Sequence, residues 1–204
     1  IEARVELAMQ NGEPPQQATD NPDQAVAATN GDLAREPVTV SPSTGGAPRG
    51  EALRFWEEVG IDPIMISYEH SEFYTLRCYL DDKPLFLGSK GRIDVLPSPD
   101  ELARYLAGAG AEGHDLDTTA TWPEVVERAQ AGELVVEVDP QNTYVLTGLA
   151  EDLSDGPLAV DPNQLDLAVE LLLDVGTWAR DESAELALAP SQSLGWLTKY
   201  VPRP

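Results

Sequence analysis

Asp166, Glu170 and Asp174 stand four residues apart, a spacing that puts three carboxylates on one side of a helix. Such a ladder can hold a divalent cation or accept basic side chains. Helical carboxylate metal sites add histidine at helical spacing, and none stands here. The ladder therefore reads as the solvent stripe of an otherwise buried helix, where like charges cost about 0.2–0.5 kcal/mol per pair. The chain has two histidines, His70 and His114. His114 lies in Glu112-Gly113-His114-Asp115-Leu116-Asp117, which lacks the alternating oxygen ligands and terminal Glu of a calcium loop. It reads as a connecting loop in which His114 bonds nearby backbone. Cys78, the single cysteine, excludes an intrachain disulfide and a Cys-cluster zinc site. Its apolar neighbours Leu76 and Leu80 predict a buried, inert thiol. No G-x-S-x-G elbow is present. Gly88-Ser89-Lys90-Gly91 lacks the spacing of a phosphate loop and reads as a hairpin turn. The sequence thus assigns no catalytic, metal-ligating or cofactor-binding residue, and implies no cofactor.

Charge is the leading global property: 13 Lys+Arg against 36 Asp+Glu, a net of −23. A surface of that sign repels phosphate backbones and anionic membranes, so neither nucleic acid nor a membrane is expected as a direct partner. Docking on basic protein surfaces and plain solubility both remain compatible. Lysine is scarce beside arginine, which suits a high-GC genome. The charge is uneven: Tyr105 to Pro204 holds 18 acidic and 4 basic residues, a net of −14. Five of the basic residues that precede it, Arg77, Lys83, Lys90, Arg92 and Arg104, fall in a strand meander and the helix after it. They either pair with nearby Asp81, Asp82, Asp94 and Glu101 or form a docking surface on the outer face of a sheet.

The elements that must position these residues follow from pattern. Residues 1–50 lack aromatics and are rich in Pro, Gln, Asn, Gly and Ser. They are expected to be a disordered tail or linker, because they bury too little apolar surface to offset ordering. The first residue is Ile1, which leaves open both a truncated N-terminus and an upstream signal or domain. Residues 51–204, about 155, suffice for one core. A helix is predicted from Glu51 to Val59, then strands at Ile64 to Tyr68, Phe73 to Leu80, Pro84 to Leu87 and Arg92 to Leu96, the last three as a meander. Helices follow after capping boxes at Ser98, Thr121 and Asp161. Further strands are expected at Leu134 to Val138 and Asn142 to Thr147. The helical C-terminal part, about 161–201, ends in a short helix that should pack Trp196, Leu197 and Tyr200 against the body. The predicted fold is α+β: an antiparallel sheet of four to six strands with helices mainly on one face. No run reaches the length of a membrane span.

Four segments carry a resemblance: F-L-G-S-K-G-R-I-D-V-L-P-S-P-D-E-L at 86–102, H-D-L-D at 114–117, T-W-P-E-V at 121–125, and the helix from Asp161 to Asp181. They resemble uncharacterised actinobacterial proteins often called "primosomal protein", over about residues 60 to 200. The shared residues are turns, caps and buried stripes, so the resemblance transfers no catalytic residue. It implies contact with DNA or replication proteins, and the charge disfavours the first. The expected function is a non-catalytic protein-interaction or regulatory domain of the cytoplasm, a monomer or weak homodimer with another protein as partner. The alternatives are a replication-associated or DNA-mimic protein, and an enzyme or small-ligand binder with a deep pocket.

Overall fold

The computed structural model describes residues 49–202. The segment read as a tail, residues 1–50, lies almost wholly outside them. Helix α1, Arg49–Val59, buries Ala52, Phe55, Trp56 and Val59, one face of a helix at three- and four-residue spacing. Gly60 takes a left-handed φ of 66° and stops it. The chain then enters β1, Ile61–Tyr68, turns into β2, Ser71–Leu80, and returns as β3, Lys83–Phe86. These strands pair antiparallel, with Ile61 opposite Cys78 and Arg77 opposite Phe86.

The third strand of the expected meander does not extend this sheet. After Phe86 the chain leaves as a two-stranded hairpin, β4 at Gly88–Ser89 and β5 at Arg92–Ile93. It comes back to β2 at Leu96, which exchanges both backbone hydrogen bonds with Tyr74 at 2.7 and 2.9 Å. Gly88 makes the exit feasible. Its φ is 146°, and a Cβ there would lie 2.1 Å from the Arg92 carbonyl oxygen.

Helices α2, Pro99–Leu106, and α3, Trp122–Ala131, follow, flanking a 3-10 turn at Asp115–Thr118. Ser98 caps α2 as expected, accepting from the Glu101 amide at 3.2 Å. Thr121 does not cap α3. Its backbone is already helical, and its hydroxyl donates instead to the Val59 carbonyl at 2.6 Å, tying α3 to the end of α1. The strand expected at Leu134 to Val138 is extended chain without a ladder. Leu134 and Val136 are buried, and Val135 accepts from the Trp56 indole at 2.9 Å. The alternation there records burial rather than strand pairing.

A second 3-10 turn, Pro140–Asn142, leads into β6, Thr143–Val145, which joins β1 in parallel and completes the order β3-β2-β1-β6. Then come α4, Leu149–Asp155, the long α5, Pro162–Ala179, α6, Ser183–Leu188, and α7, Ser193–Tyr200. Asp161 caps α5 through the Gln164 amide at 2.9 Å. The Gln164 side chain donates to the carbonyls of Val145 and Thr147 at 2.9 and 3.2 Å, which satisfies acceptors next to the sheet edge.

The α+β class and the four-stranded main sheet are as the sequence predicts. Two details differ: β6 is parallel, and helices cover both faces. One face, with Ile61, Leu76 and Cys78, packs on α1, α2 and α3 through Trp56, Leu102, Leu106 and Val125. The other, with Ile64, Phe86 and Tyr144, packs on α5 through Leu171 and Trp178. Gly88→Ala should lower the free energy of unfolding by about 2–3 kcal/mol, since it combines a forbidden φ with a backbone clash. Urea denaturation measures this.

Candidate functional site

The second sheet face carries a charge. Arg77 alternates along β2 with buried Leu76 and Cys78, so its side chain points toward α5. It is 4% exposed. One guanidinium nitrogen, Nη1, donates to Glu170 Oε1 and to Asp174 Oδ2, both at 2.9 Å. The other, Nη2, donates to Asn142 Oδ1 at 3.3 Å. The rings of Tyr79 and Tyr144 lie 5.0 and 5.5 Å from the guanidinium carbon. Their hydroxyls close the cluster: Tyr144 donates to Glu170 at 3.0 Å, and Tyr79 donates to Asp174.

These contacts set the protonation states. Burial opposes the Arg77 charge, but Tyr144, Glu170, Tyr79 and Asp174 outweigh it and push its pKa up. Burial raises the Tyr79 and Tyr144 hydroxyls, and their carboxylate partners raise them further against the opposing charge of Arg77. Burial also raises Asp62, opposed by Arg77 and by a hydrogen bond from Asn142. The result is a lock between sheet and helix in which two carboxylates share one buried guanidinium.

The carboxylate ladder is a solvent stripe only in part: Asp166 and Glu170 are exposed and Asp174 is half-buried. Of the two chemistries open to it, the structure realises acceptance of a basic side chain, within the chain itself. Glu170 and Asp174 are 47% and 17% exposed. Leu172 and Leu173 of the same helix are exposed as well, at 45% and 36%. A cleft of about 580 Å³ opens beside Arg77, walled by Pro140, Asn142, Asn163 and Glu170. Two of its polar groups, those of Asn142 and Glu170, already bond Arg77.

His114 bonds local backbone as expected, with Nε2 3.1 Å from the Gly110 carbonyl oxygen and its ring edge-on to Trp122. The neighbouring carboxylates are engaged: Asp117 accepts from the Gly113 amide at 2.7 Å, and Asp115 from the Trp178 indole at 2.8 Å. Among the described residues, no group of three or more His, Cys, Asp or Glu is placed to hold a metal ion. Cys78 is buried, and burial followed by the nearby Asp62 charge pushes its thiol up to about 11.

The five basic residues proposed as one surface separate. Arg77 leaves it, because it is buried in the ion-pair cluster. Lys83 is exposed beside the β2–β3 turn, and Lys90 and Arg92 are exposed on the β4–β5 hairpin. Arg104 is exposed on α2 and pairs with Glu101 at 3.5 Å. Asp94 takes none of them and accepts from the Tyr105 hydroxyl at 2.9 Å. The residues that sequence reading missed are Tyr79, Tyr144 and Asn142. The available signal was Arg77 itself, a charge at a strand position flanked by apolar neighbours, which requires partners.

At the C-terminal end a second expectation holds only in part. Of the three residues expected to pack there Leu197 is half-buried, while Trp196 and Tyr200 are 53% and 52% exposed and lie against each other at 4.5 Å. Instead, α7 buries Gly195, where a Cβ would lie 2.2 Å from the Ala189 carbonyl oxygen, so the end of α6 meets the α7 backbone directly.

A helix-flanked mixed sheet of this kind, with a charge locked between sheet and helix, defines an α+β domain with a buried ion-pair cluster. The chain belongs to the SatS C-terminal domain family, whose model matches residues 61–204. It is similar to a solved structure described as the crystal structure of SatS C-terminal domain in complex with bromine. The two are 51% identical with a TM-score of 0.71, over 74% of this chain and 80% of that one. Among curated proteins, none matches the chain. The matched family's description carries no primosomal term.

Two outcomes follow. Arg77→Met should destabilise the domain by about 2–3 kcal/mol in urea denaturation, less than a fully buried pair because Glu170 is half-exposed. At pH 8, a thiol raised from 9.0 to about 11 has roughly a hundredth of the thiolate of an unfolded one. Native Cys78 should therefore react with a disulfide reagent at least about a hundredfold more slowly than in urea.

Proposed function

We propose that this is a non-catalytic protein-interaction domain. The observation that carries the reading is the pair of rings Trp196 and Tyr200, in contact at 4.5 Å and held half-exposed on α7. Large aromatic rings dominate binding energy when a partner covers them. Leu186 on the adjoining α6 adds exposed apolar surface. The partner that fits is a protein with an apolar patch bordered by basic residues, because Tyr105 to Pro204 carries a net of −14. A replication-associated role, as the resemblance to primosomal proteins implies, belongs to the same reading only through protein contacts, since −23 disfavours DNA. A cytoplasmic site of action is part of the proposal, and the lone thiol is compatible with a reducing compartment. Among the described residues, no helix is long and apolar enough to cross a membrane.

The test is a crosslinking pull-down from host cells at low and high salt, run with the wild-type chain and with Trp196→Ser/Tyr200→Ser. A partner recovered by the wild type and lost by the variant supports the reading, provided stability changes by less than about 0.5 kcal/mol, as for surface positions. Identical recovery by both proteins rejects the aromatic pair as the contact.

A further inference from the structure

Six cationic side chains of the described residues neither enter an ion pair nor stack on an aromatic ring: Arg54, Lys83, Lys90, Arg92, Arg180 and Lys199. Three of them, Lys90, Arg92 and Arg180, flank one backbone contact. Gly91, at the tip of the β4–β5 hairpin between Lys90 and Arg92, touches the last turn of α5. A Cβ there would lie 3.2 Å from that of Ala179, the neighbour of Arg180. All three cations are exposed.

Two of the three occupy positions whose backbone favours other residues. Lys90 and Gly91 have φ of 55° and 72°, the paired positive values of a tight hairpin in which Asn and Gly lead. Arg180 has φ 58° and ends α5 in a Schellman motif, with the Asp181 amide donating to the Gly176 carbonyl at 2.8 Å. Glycine is the usual residue there. Both cations are kept against the conformational preference of the chain, which points from local strain to use. The negative end of a helix dipole attracts cations, but it amounts to roughly half an elementary charge against three full ones.

We propose that Lys90, Arg92 and Arg180 form a docking site for a short carboxylate-rich segment of a protein partner. This rests on the reading of the domain as a protein-interaction module and goes beyond it, adding a cationic contact to the acidic and apolar one proposed for α7. Guanidinium groups match carboxylates in two-pronged geometry. The segment must be short, because Asp181, Glu182 and Glu185 follow Arg180 directly in sequence. An anion reaching beyond the three cations meets that acidic surface within the screening length of about 8 Å. Duplex DNA, with one charge per roughly 1.7 Å of axis, overruns the patch, while two or three adjacent Asp or Glu side chains do not.

The experiment uses the full chain, a fluorescein-labelled peptide with three consecutive glutamates, and a labelled oligothymidylate, read by anisotropy at low ionic strength. The wild type should bind the peptide more tightly than the oligonucleotide. Arg92→Glu, on ordinary strand backbone, and Lys90→Asn/Arg180→Gly should each weaken peptide binding about tenfold, the scale of losing charge-assisted contacts. The double variant should melt no lower than the wild type, since it restores the residues the backbone prefers. Unchanged affinity in either variant, tighter binding of the oligonucleotide, or a lower melting temperature in the double variant overturns the proposal. If the peptide fails to bind while Trp196 and Tyr200 still govern partner recovery, the acidic-segment site falls and the interaction-domain reading stands.

Discussion

A single buried cation organises one half of this molecule. Arg77 lies on the sheet face that α5 covers, and taking a guanidinium out of water is tolerable only with partners in place. Glu170 and Asp174, one helical turn apart, supply the charge, Asn142 accepts from the other terminal nitrogen, and two tyrosine hydroxyls donate to the carboxylates. The contacts fix the rotation of α5 about its axis, because only one helix side carries carboxylates at this spacing. They also fix β6, which brings Tyr144 beneath the same charge.

That constraint explains where the sequence is legible and where it is not. The turns, the Ser98 and Asp161 caps, the glycine stops and the α1 face could be read directly, because each rests on a few neighbouring residues. The orientation of α5 could not. Its apolar residues run nearly all round the helix, so periodicity leaves either side free to face the core, and the distant Arg77 decides. The parallel pairing of β6 with β1 is likewise set by contacts far apart in sequence. Leu134 to Val138 misled for another reason: alternating burial is shared by strands and by extended chain laid against a helix. Helices α4 and α6 are too short for a periodic stripe to show.

The candidate site was legible only in its parts. Arg77 could be singled out among the basic residues, and the carboxylates could be singled out for their spacing. Pairing one with the other required the fold, which takes Arg77 out of a supposed outer surface and joins it to two carboxylates of the helix stripe. With Arg77 internal, the aromatic pair on α7 and the cations flanking the contact between the hairpin tip and the end of α5 remain at the surface.

The distance along the chain between Arg77 and its partners has a consequence for synthesis. Asp174 follows Arg77 by 97 residues. At about 5–20 residues per second, the nascent chain carries the β1–β3 sheet for some 5–20 seconds before its counter-charges exist. During that interval Ile64 and Phe86 lack the helix that covers them. A charge set in an apolar strand face discourages self-association, so the guanidinium that later locks the domain stands where such pairing would otherwise start before α5 is made.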